Sequence, residues 1–580
     1  MIDAGGKECH PRRRRGWLLS GVIAPVLLAP GLAEAGRAGL PPPSELLLRS
    51  LERFERDAAA LDQVVPADAV DPAAPPGPAG GDGLSPAERG LLEQLAAPAA
   101  ATIPAAAAAV TIEQEARLSL PVALALALRN SPALAQEVAS VQERRQWLRS
   151  VRGRFWPELW LELGGGGRQM ASYNKVWQDN AGLYPAGSPF LVDPNGWNRI
   201  RENQLLGTAA LALRWDLVNF ERGAALAENR QELEAAEHRY ANRLRQLQLE
   251  VSLSFYSLQL AQQLRRIRQA VVESDRAVLA EVIALEGSGL VPRLDRLRAE
   301  ASLQQSRFRL AQTEAQWRSR QRQLSNLLNV PFTVTLTTPE AVRLQPPWPL
   351  DLERTVVAGF RDNPELLALQ AARQALLRQA DRRAAELLPQ LRLYARAGYG
   401  EGIADKPEIE LRGCCAATNI PQLYQQNGAW EAGLELRWRL FDAGVSSGAA
   451  GASRAAAERT TQALAEGRNA IRQRVEAAFF EHRAALEQIL AARASYGSAR
   501  EAFRDVRARY QLGLANYTDV SDTIRLLTQA MEGVAESITL ANGSYAQLLR
   551  ELLPVPDQPG APVSLPLVLP AAAAGESTGS

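Results

Sequence analysis

The sequence predicts a mixed α and β membrane protein built from two similar halves, and three observations support this fold class. The same short motifs occur in the same order in 118–330 and again in 352–553. Each half contains a stretch long enough for an unusually extended helix. Short segments in which apolar and polar residues alternate, as they do along strands, precede each of these stretches.

Four motif pairs define the internal repeat. They are Arg-Asn-Ser-Pro at 129–132 and Arg-Asp-Asn-Pro at 361–364; Trp-Pro-Glu-Leu at 156–159 and Leu-Pro-Gln-Leu at 388–391; Leu-Ala-Leu-Arg-Trp-Asp-Leu at 211–217 and Leu-Glu-Leu-Arg-Trp-Arg-Leu at 434–440; and Gly289 followed by Asp295, and Gly513 followed by Asp519. Solenoid units run to about 20–50 residues. A repeat this long therefore indicates a duplicated half, with 331–351 as the connection.

The long stretches predict coiled-coil-like helices. From about 223 to 285 there is no proline and no internal glycine, which gives a helix of about 90 Å at 1.5 Å per residue. Apolar side chains recur there at heptad spacing, at Leu226, Leu233, Tyr240 and Leu247. A second helix is predicted to return over about 293–328. The second half repeats this pair, with a long helix over 444–512 and a returning helix to about 552.

Four strands are predicted, two in each half. One begins at Leu159, and the others cover 208–217, 391–396 and 432–441. Strands of about ten residues suit a tilted membrane strand. Four strands cannot close a barrel, because membrane barrels use about eight or more. We therefore predict that three chains share a 12-stranded trimeric barrel, which the long helices extend as a tunnel.

The N-terminal region predicts an export signal and a linker. Four arginines at 12–15, an apolar stretch and the small-x-small site Ala33-Glu34-Ala35 predict a signal peptide over 1–35. The region 36–117 is predicted to be a disordered linker rich in proline, alanine and glycine, and we expect 36 to about 109 to be dispensable for folding. Within it, 44–62 and 85–95 favour short helices. A disordered tail is predicted for 554–580.

The composition argues against enzymatic chemistry. The net charge is +1 and the 3 histidines are scattered, so we expect no nucleic-acid partner, metal, cofactor or catalytic centre. Of the 3 cysteines, Cys9 would leave with the signal peptide. Cys414 and Cys415 are adjacent in a predicted loop. They could form a vicinal disulfide, bond between chains, or be an exposed pair without function.

In the order of these doubled motifs, the chain resembles the TolC-type outer-membrane efflux proteins over 118–553. The resemblance implies a homotrimer with a β-barrel in outer-membrane lipid and an α-helical tunnel in the periplasm. It also implies a periplasmic adaptor protein and an inner-membrane pump of the RND, ABC or MFS type, with small molecules or proteins as cargo. The alternative is a structural coiled-coil protein of the cell envelope without transport.

The resemblance also implies a periplasmic gate. Asp519 and Asp522 match the two aspartates that line the family's gate, although acidic residues at a helix start also complement its dipole. Asp295 and Tyr510 match members of the network that braces the closed state, and for Asp295 a capping role is an equal alternative. The family's bracing arginine falls at Ala515. Either Arg293 and Arg509 substitute for it, or the gate rests more open.

Overall fold

The structure, a computed structural model, describes residues 43–59, 85–175, 197–338, 342–405, 408–412, 423–512 and 514–553. Its elements are α1 (Pro43–Ala59), α2 (Pro86–Gln94), β1 (Gln114–Arg117), α3 (Leu120–Asn130), α4 (Pro132–Gly153), β2 (Glu158–Lys175), β3 (Trp197–Val218), α5 (Phe220–Gly287), α6 (Arg293–Leu327), β4 (Val334–Thr337), α7 (Leu352–Phe360), α8 (Pro364–Ala385), β5 (Gln390–Ala404), β6 (Glu408–Arg412), β7 (Leu423–Arg437), α9 (Val445–Gln511) and α10 (Tyr517–Leu552). From α3 onward, two helices, a strand pair and two helices occur in this order twice.

The repeated Asn-Pro and Ser-Pro motifs are helix starts. The Ser131 side chain accepts a hydrogen bond of 3.3 Å from the backbone N–H of Leu134, and Pro132 is the first residue of α4. In the second half, Asn363 accepts from the N–H of Glu365 at 3.0 Å, and Pro364 begins α8. Proline fits this position because the first helical N–H has no intrahelical acceptor. The predicted restart of the helix at Pro132 is confirmed.

The long helices form the body of the molecule. Helix α5 has 68 residues and α9 has 67, so each is about 100 Å long at 1.5 Å per residue. Helix α5 packs against α6, α8 and α10, and α9 packs against α10 and α8. Tyr240 and Leu247, predicted on the heptad seam, are buried, and Val251 and Phe255 continue the buried stripe. The predicted pairs of long helices are confirmed.

The main sheet has the antiparallel order β2-β3-β5-β7, and the short β6 pairs with the N-terminal end of β3. The strands are longer than predicted, with 18 residues in β2 and 22 in β3. The glycine run 164–167 breaks the apolar alternation, yet it pairs without interruption with 205–208 of β3. Backbone pairing with a neighbouring strand therefore extends the strands beyond the residues whose apolar–polar alternation predicts a strand. Likewise, β7 begins and ends earlier than the predicted 432–441 and overlaps it over 432–437, because its pairing with β5 covers 423–437.

The register gives the sheet one apolar and one polar face. Leu161 is opposite Leu211, which is opposite Ala397, which is opposite Trp430. These side chains share one face because directly paired residues of neighbouring strands point to the same side of a sheet. The other face carries ion pairs between Arg392 and Asp216 at 2.7 Å, Arg392 and Glu435 at 3.5 Å, and Arg396 and Glu162 at 3.0 Å.

Two described parts of the predicted linker pack into the body, contrary to the expectation for 36–117. Strand β1 pairs in parallel with β4, and Leu95, after α2, is buried in the same core cluster as Leu118. In α1, Leu47, Leu51, Phe54 and Ala58 are 0–1% exposed within a core shared with α5, α9 and α10. The prediction relied on the overall composition of 36–117 and missed the helical spacing of these four apolar residues. For α1, and for Leu95 and β1 within 85–117, the prediction of a linker without a core is therefore wrong.

Several predicted features fall outside the described residues. These are the signal peptide at 1–35, the adjacent cysteines Cys414 and Cys415, Gly513 and the tail at 554–580. Among the described helices, none combines the length and the apolar character needed to cross a membrane.

Candidate functional site at the turns of the long helices

The turn between α5 and α6 is built around Gly289. Its φ of +76° lies in the left-handed region, which glycine adopts without steric cost. The N–H of Leu290 donates to the carbonyl of Leu285 at 2.9 Å and so closes the end of α5. Across the turn, the guanidinium of Arg296 lies 2.8 Å from the Glu286 carboxylate. The start of α6 is therefore tied to the last turn of α5 by charge.

The turn between α9 and α10 places Asp519 in a capping box. The side-chain oxygen of Asn516 accepts from the N–H of Asp519 at 2.9 Å, and the Asp519 carboxylate accepts from the N–H of Asn516 at 3.2 Å. Both bonds satisfy N–H groups that a helix start leaves without partners. The helix-start alternative for Asp519 is thus realised in the geometry, and its carboxylate is also solvent-exposed.

Asp522 has no such capping role among the contacts that the structure describes. Its carboxylate lies 3.3 Å from the guanidinium of Arg525, and both side chains are about 60% exposed. It lines an open groove of about 170 Å³ between α5, α6 and α10, together with Arg268, Asp275 and Glu532. The exposed position leaves its negative charge available at the surface of α10.

Tyr510 contacts Glu281 of α5, a residue that the sequence reasoning did not single out. The phenol donates to the Glu281 carboxylate, and burial, followed by the nearby negative charge and this bond, raises the pKa of Tyr510 to about 12. Burial also raises the pKa of Glu281. The signal in the sequence was an acidic residue next to the apolar stripe of α5, between Val278 and Val282. The contact joins α5 to α9 beside both turns.

Asp295 lies in the first turn of α6, where its carboxylate is 3.6 Å from the guanidinium of Arg298. On α10, Tyr517 is buried, and its pKa is raised mainly by burial, with the Asp295 carboxylate contributing. The two residues predicted to brace the turns therefore have different neighbours: Tyr510 contacts Glu281, and Asp295 lies near Tyr517. Each links one hairpin of long helices to the other.

The two arginines proposed as substitutes at Ala515 have different surroundings. Arg509 forms an ion pair of 3.0 Å with Asp505 on the same exposed face of α9. Arg293 is the first residue of α6, directly after Pro292. Within the α5–α6 hairpin, the ion pair across the turn is that of Arg296 with Glu286.

A second polar site lies where the sheet meets the helices. A cavity of about 260 Å³ is lined by both signs of charge, including Arg154, Arg214, Glu158 and Asp216. The Arg222 guanidinium stacks on the Phe155 ring at 4.7 Å and donates to the Arg154 carbonyl at 2.9 Å. The polar face of the sheet thus continues onto the helical body. In the part of the chain that the structure describes, no group of three or more His, Cys, Asp or Glu side chains could hold a metal ion.

The family model described as outer membrane efflux protein matches the chain twice, over residues 123–330 and 361–552. The chain belongs to the outer membrane efflux protein family. As a member of that family, it resides in the outer membrane and extends into the periplasm. No curated protein matches the chain.

Solved outer-membrane channels share the fold of this efflux-family chain. OprN is 18% identical over 82% of this chain and 98% of its own, with a TM-score of 0.55. VceC from Vibrio cholerae is 17% identical over 75% of this chain and 95% of its own, with a TM-score of 0.54. CmeC from Campylobacter jejuni is 13% identical over 79% and 94%, with a TM-score of 0.56.

Proposed function

We propose that the chain is the outer-membrane exit duct of an export machine, in which three copies share one 12-stranded barrel. Each chain contributes β2, β3, β5 and β7, and the long helices extend the barrel as a periplasmic tunnel. A periplasmic adaptor protein and an inner-membrane pump of the RND, ABC or MFS type deliver the cargo, which is small molecules or proteins.

The observation that carries this proposal is a two-faced sheet with open edges. In the described residues, β2 and β7 have a partner strand on one side only. An unpaired strand edge cannot remain in lipid, because each unsatisfied backbone group costs several kcal/mol. Exposed leucines and Trp430 on one face suit lipid, and the ion pairs on the other face suit water. Joining such sheets edge to edge pairs the backbone groups of the open edges. It also keeps the apolar face toward lipid and the polar face toward water.

The same proposal gives Asp519 and Asp522 a role at the narrow end of the tunnel. Both are exposed on the first turns of α10, directly after the turn between two long helices. Three copies around an axis would form rings of carboxylates, which favour cations and concentrate negative potential in a constriction. Tyr510 with Glu281, and Asp295 near Tyr517, would hold the two hairpins together at this end.

Conductance in planar lipid bilayers tests the duct directly. The purified protein should form discrete ion-conducting channels. Leu161→Arg puts a charge on the apolar face of β2 in every chain. A charge that faces lipid destabilises a membrane barrel, so this variant should insert and conduct less than the wild type. Glu162→Gln, one residue away on the polar face, is the matched control and should conduct. Purified protein that never conducts, or equal conduction by both variants, would reject the proposed arrangement.

A further inference from the structure

Helix α1 lies against both α5 and α9, although it precedes the repeated halves in sequence. Its buried side chains Leu47, Leu51, Phe54 and Ala58 are spaced four, three and four residues apart, which is the spacing of a coiled-coil seam. They share a core with Ile267 and Ala277 of α5 and with Tyr496, Ala499 and Phe503 of α9. We call the surface formed by 267–278 of α5 and 496–507 of α9 the α5–α9 groove.

The α5 side of this groove holds α1 through polar contacts beside the apolar seam. The hydroxyls of Ser50 and Ser274 are 3.4 Å apart, and Ser274 is fully buried. The Arg53 guanidinium lies 3.1 Å from the Glu273 carboxylate. These pairs are consecutive along α5, so they fix the register of α1 on it.

The α9 side contributes a ring contact and a charge cluster. Phe54 and Phe503 meet edge to face, with ring centroids 5.6 Å apart. The Glu55 carboxylate, only 16% exposed, accepts from Arg504 at 2.5 Å and from Arg507 at 2.6 Å. The Tyr496 hydroxyl donates to the Ala58 carbonyl at 2.6 Å. The single carboxylate of Glu55 is therefore held by two guanidinium groups of one partner helix.

The groove lies close to the turns described above. On α5 it ends nine residues before Gly287, and on α9 it ends four residues before Gln511. At 1.5 Å per residue, its near ends are within about 15 Å of the turns. Helix α1 thus bridges the α5–α6 and α9–α10 hairpins at the end where the Tyr510–Glu281 contact also joins them.

We infer that the α5–α9 groove is a helix-binding site whose occupant is residues 43–59 of the same chain. In this role α1 is a latch: with α1 seated, the two hairpins keep a fixed separation at their turns. Separating them requires the Glu55 cluster and the Phe54 contact to break. This inference goes beyond export itself, because it concerns what holds the two turns at a fixed separation, whichever cargo is exported.

Disulfide trapping tests the seating of α1. In the full chain with Cys9, Cys414 and Cys415 changed to serine, Ser50→Cys with Ser274→Cys should cross-link nearly completely. Glu52→Cys with Ser274→Cys is the control, because Glu52 is on the exposed face of α1, and it should remain reduced. Equal cross-linking of the two pairs, or none in the first, would show that α1 does not occupy the groove.

Pulsed electron spin resonance tests the latch. Spin labels at Leu290→Cys and Leu514→Cys, both more than 70% exposed, report the distance between the turns in labelled chains diluted with unlabelled ones. Glu55→Arg should broaden and lengthen this distance distribution, and adding Arg504→Glu with Arg507→Glu should restore it. Glu52→Arg makes the same charge change on the exposed face and should leave it unaltered. An unaltered distribution in Glu55→Arg, or a failed restoration with α1 still cross-linkable, would overturn the latch.

Discussion

Asp519 and Asn516 exchange hydrogen bonds across the first turn of α10, at 2.9 Å and 3.2 Å. The carboxylate predicted to line a gate is therefore also part of a helix cap. Asp522, one turn further along, is exposed and pairs with Arg525. Both aspartates are negatively charged, but only Asp519 caps the helix. Substitutions can therefore separate the capping role from the role of the charge.

The first prediction concerns stability at this turn. Asp519→Ala should lower the free energy of unfolding by about 1 kcal/mol, because it removes the acceptor for the Asn516 N–H at a helix start. Asp522→Ala should change it by less than about 0.5 kcal/mol, because its ion pair is solvent-exposed. Denaturant unfolding in one detergent measures both. Equal losses would mean that Asp522 has a structural contact as important as the cap.

The second prediction concerns ion selectivity. Replacing Asp519 and Asp522 together by asparagine removes two rings of negative charge from the proposed constriction, while asparagine keeps an acceptor for the cap. The double variant should show a lower preference for cations and weaker block by multivalent cations in single-channel recordings. Asp505→Asn, on the exposed face of α9 with Arg509, is the control. Selectivity and block equal to those of the wild type would place both carboxylates away from the ion path.

The third prediction concerns the contact between Tyr510 and Glu281. Glu281→Gln removes the negative charge beside the phenol, so the pKa of Tyr510 should fall from about 12, although burial still keeps it above its ordinary value. Ultraviolet absorbance during alkaline titration detects the change. Tyr510→Phe should cost about 1 kcal/mol of stability through the lost hydrogen bond. If Tyr510 titrates identically in the wild type and in Glu281→Gln, the two side chains are not in contact.

The fourth prediction reverses the expectation that 36 to about 109 is dispensable. Phe54→Ala should destabilise the protein by about 3–5 kcal/mol, because it opens a cavity in a core that α1 shares with α9. Glu52→Ala, on the exposed face of the same helix, should change stability by less than about 0.5 kcal/mol. Wild-type stability in Phe54→Ala would restore the original linker prediction for α1.

The fifth prediction concerns pH. His482 is buried, accepts from the Trp348 N–H at 3.3 Å and contacts the Ala541 carbonyl at 3.1 Å, which assigns a neutral ring with its proton on Nδ1. Burial lowers its pKa below 6.5. Below that pH the unfolded chain takes up a proton that the folded chain does not, so stability falls as pH falls.

Denaturant unfolding between pH 7.5 and 5.5 measures this effect. The wild type should lose more stability over that range than His482→Gln. Because His238 is present in both proteins, its own lowered pKa cancels in the comparison. Parallel losses would show that His482 takes up a proton in the folded state.

The sequence predicted the long helices well because their signals are local. Heptad spacing, the absence of proline and the Ser131 and Asn363 caps act within a few residues. It predicted strand lengths poorly, because the glycines at 164–167 pair through backbone bonds with a strand more than thirty residues away. It missed the partner of Tyr510 for the same reason: Glu281 is far away in sequence, and only packing brings the two together.

The mass of the purified assembly in mild detergent, measured by native mass spectrometry with the detergent removed in the gas phase, tests the shared barrel most directly. The open edges of β2 and β7 predict an assembly of three chains, and heating should dissociate it into single chains. A folded single chain, stable when extracted from the outer membrane and inserted in lipid, would contradict the shared barrel and with it the proposed duct.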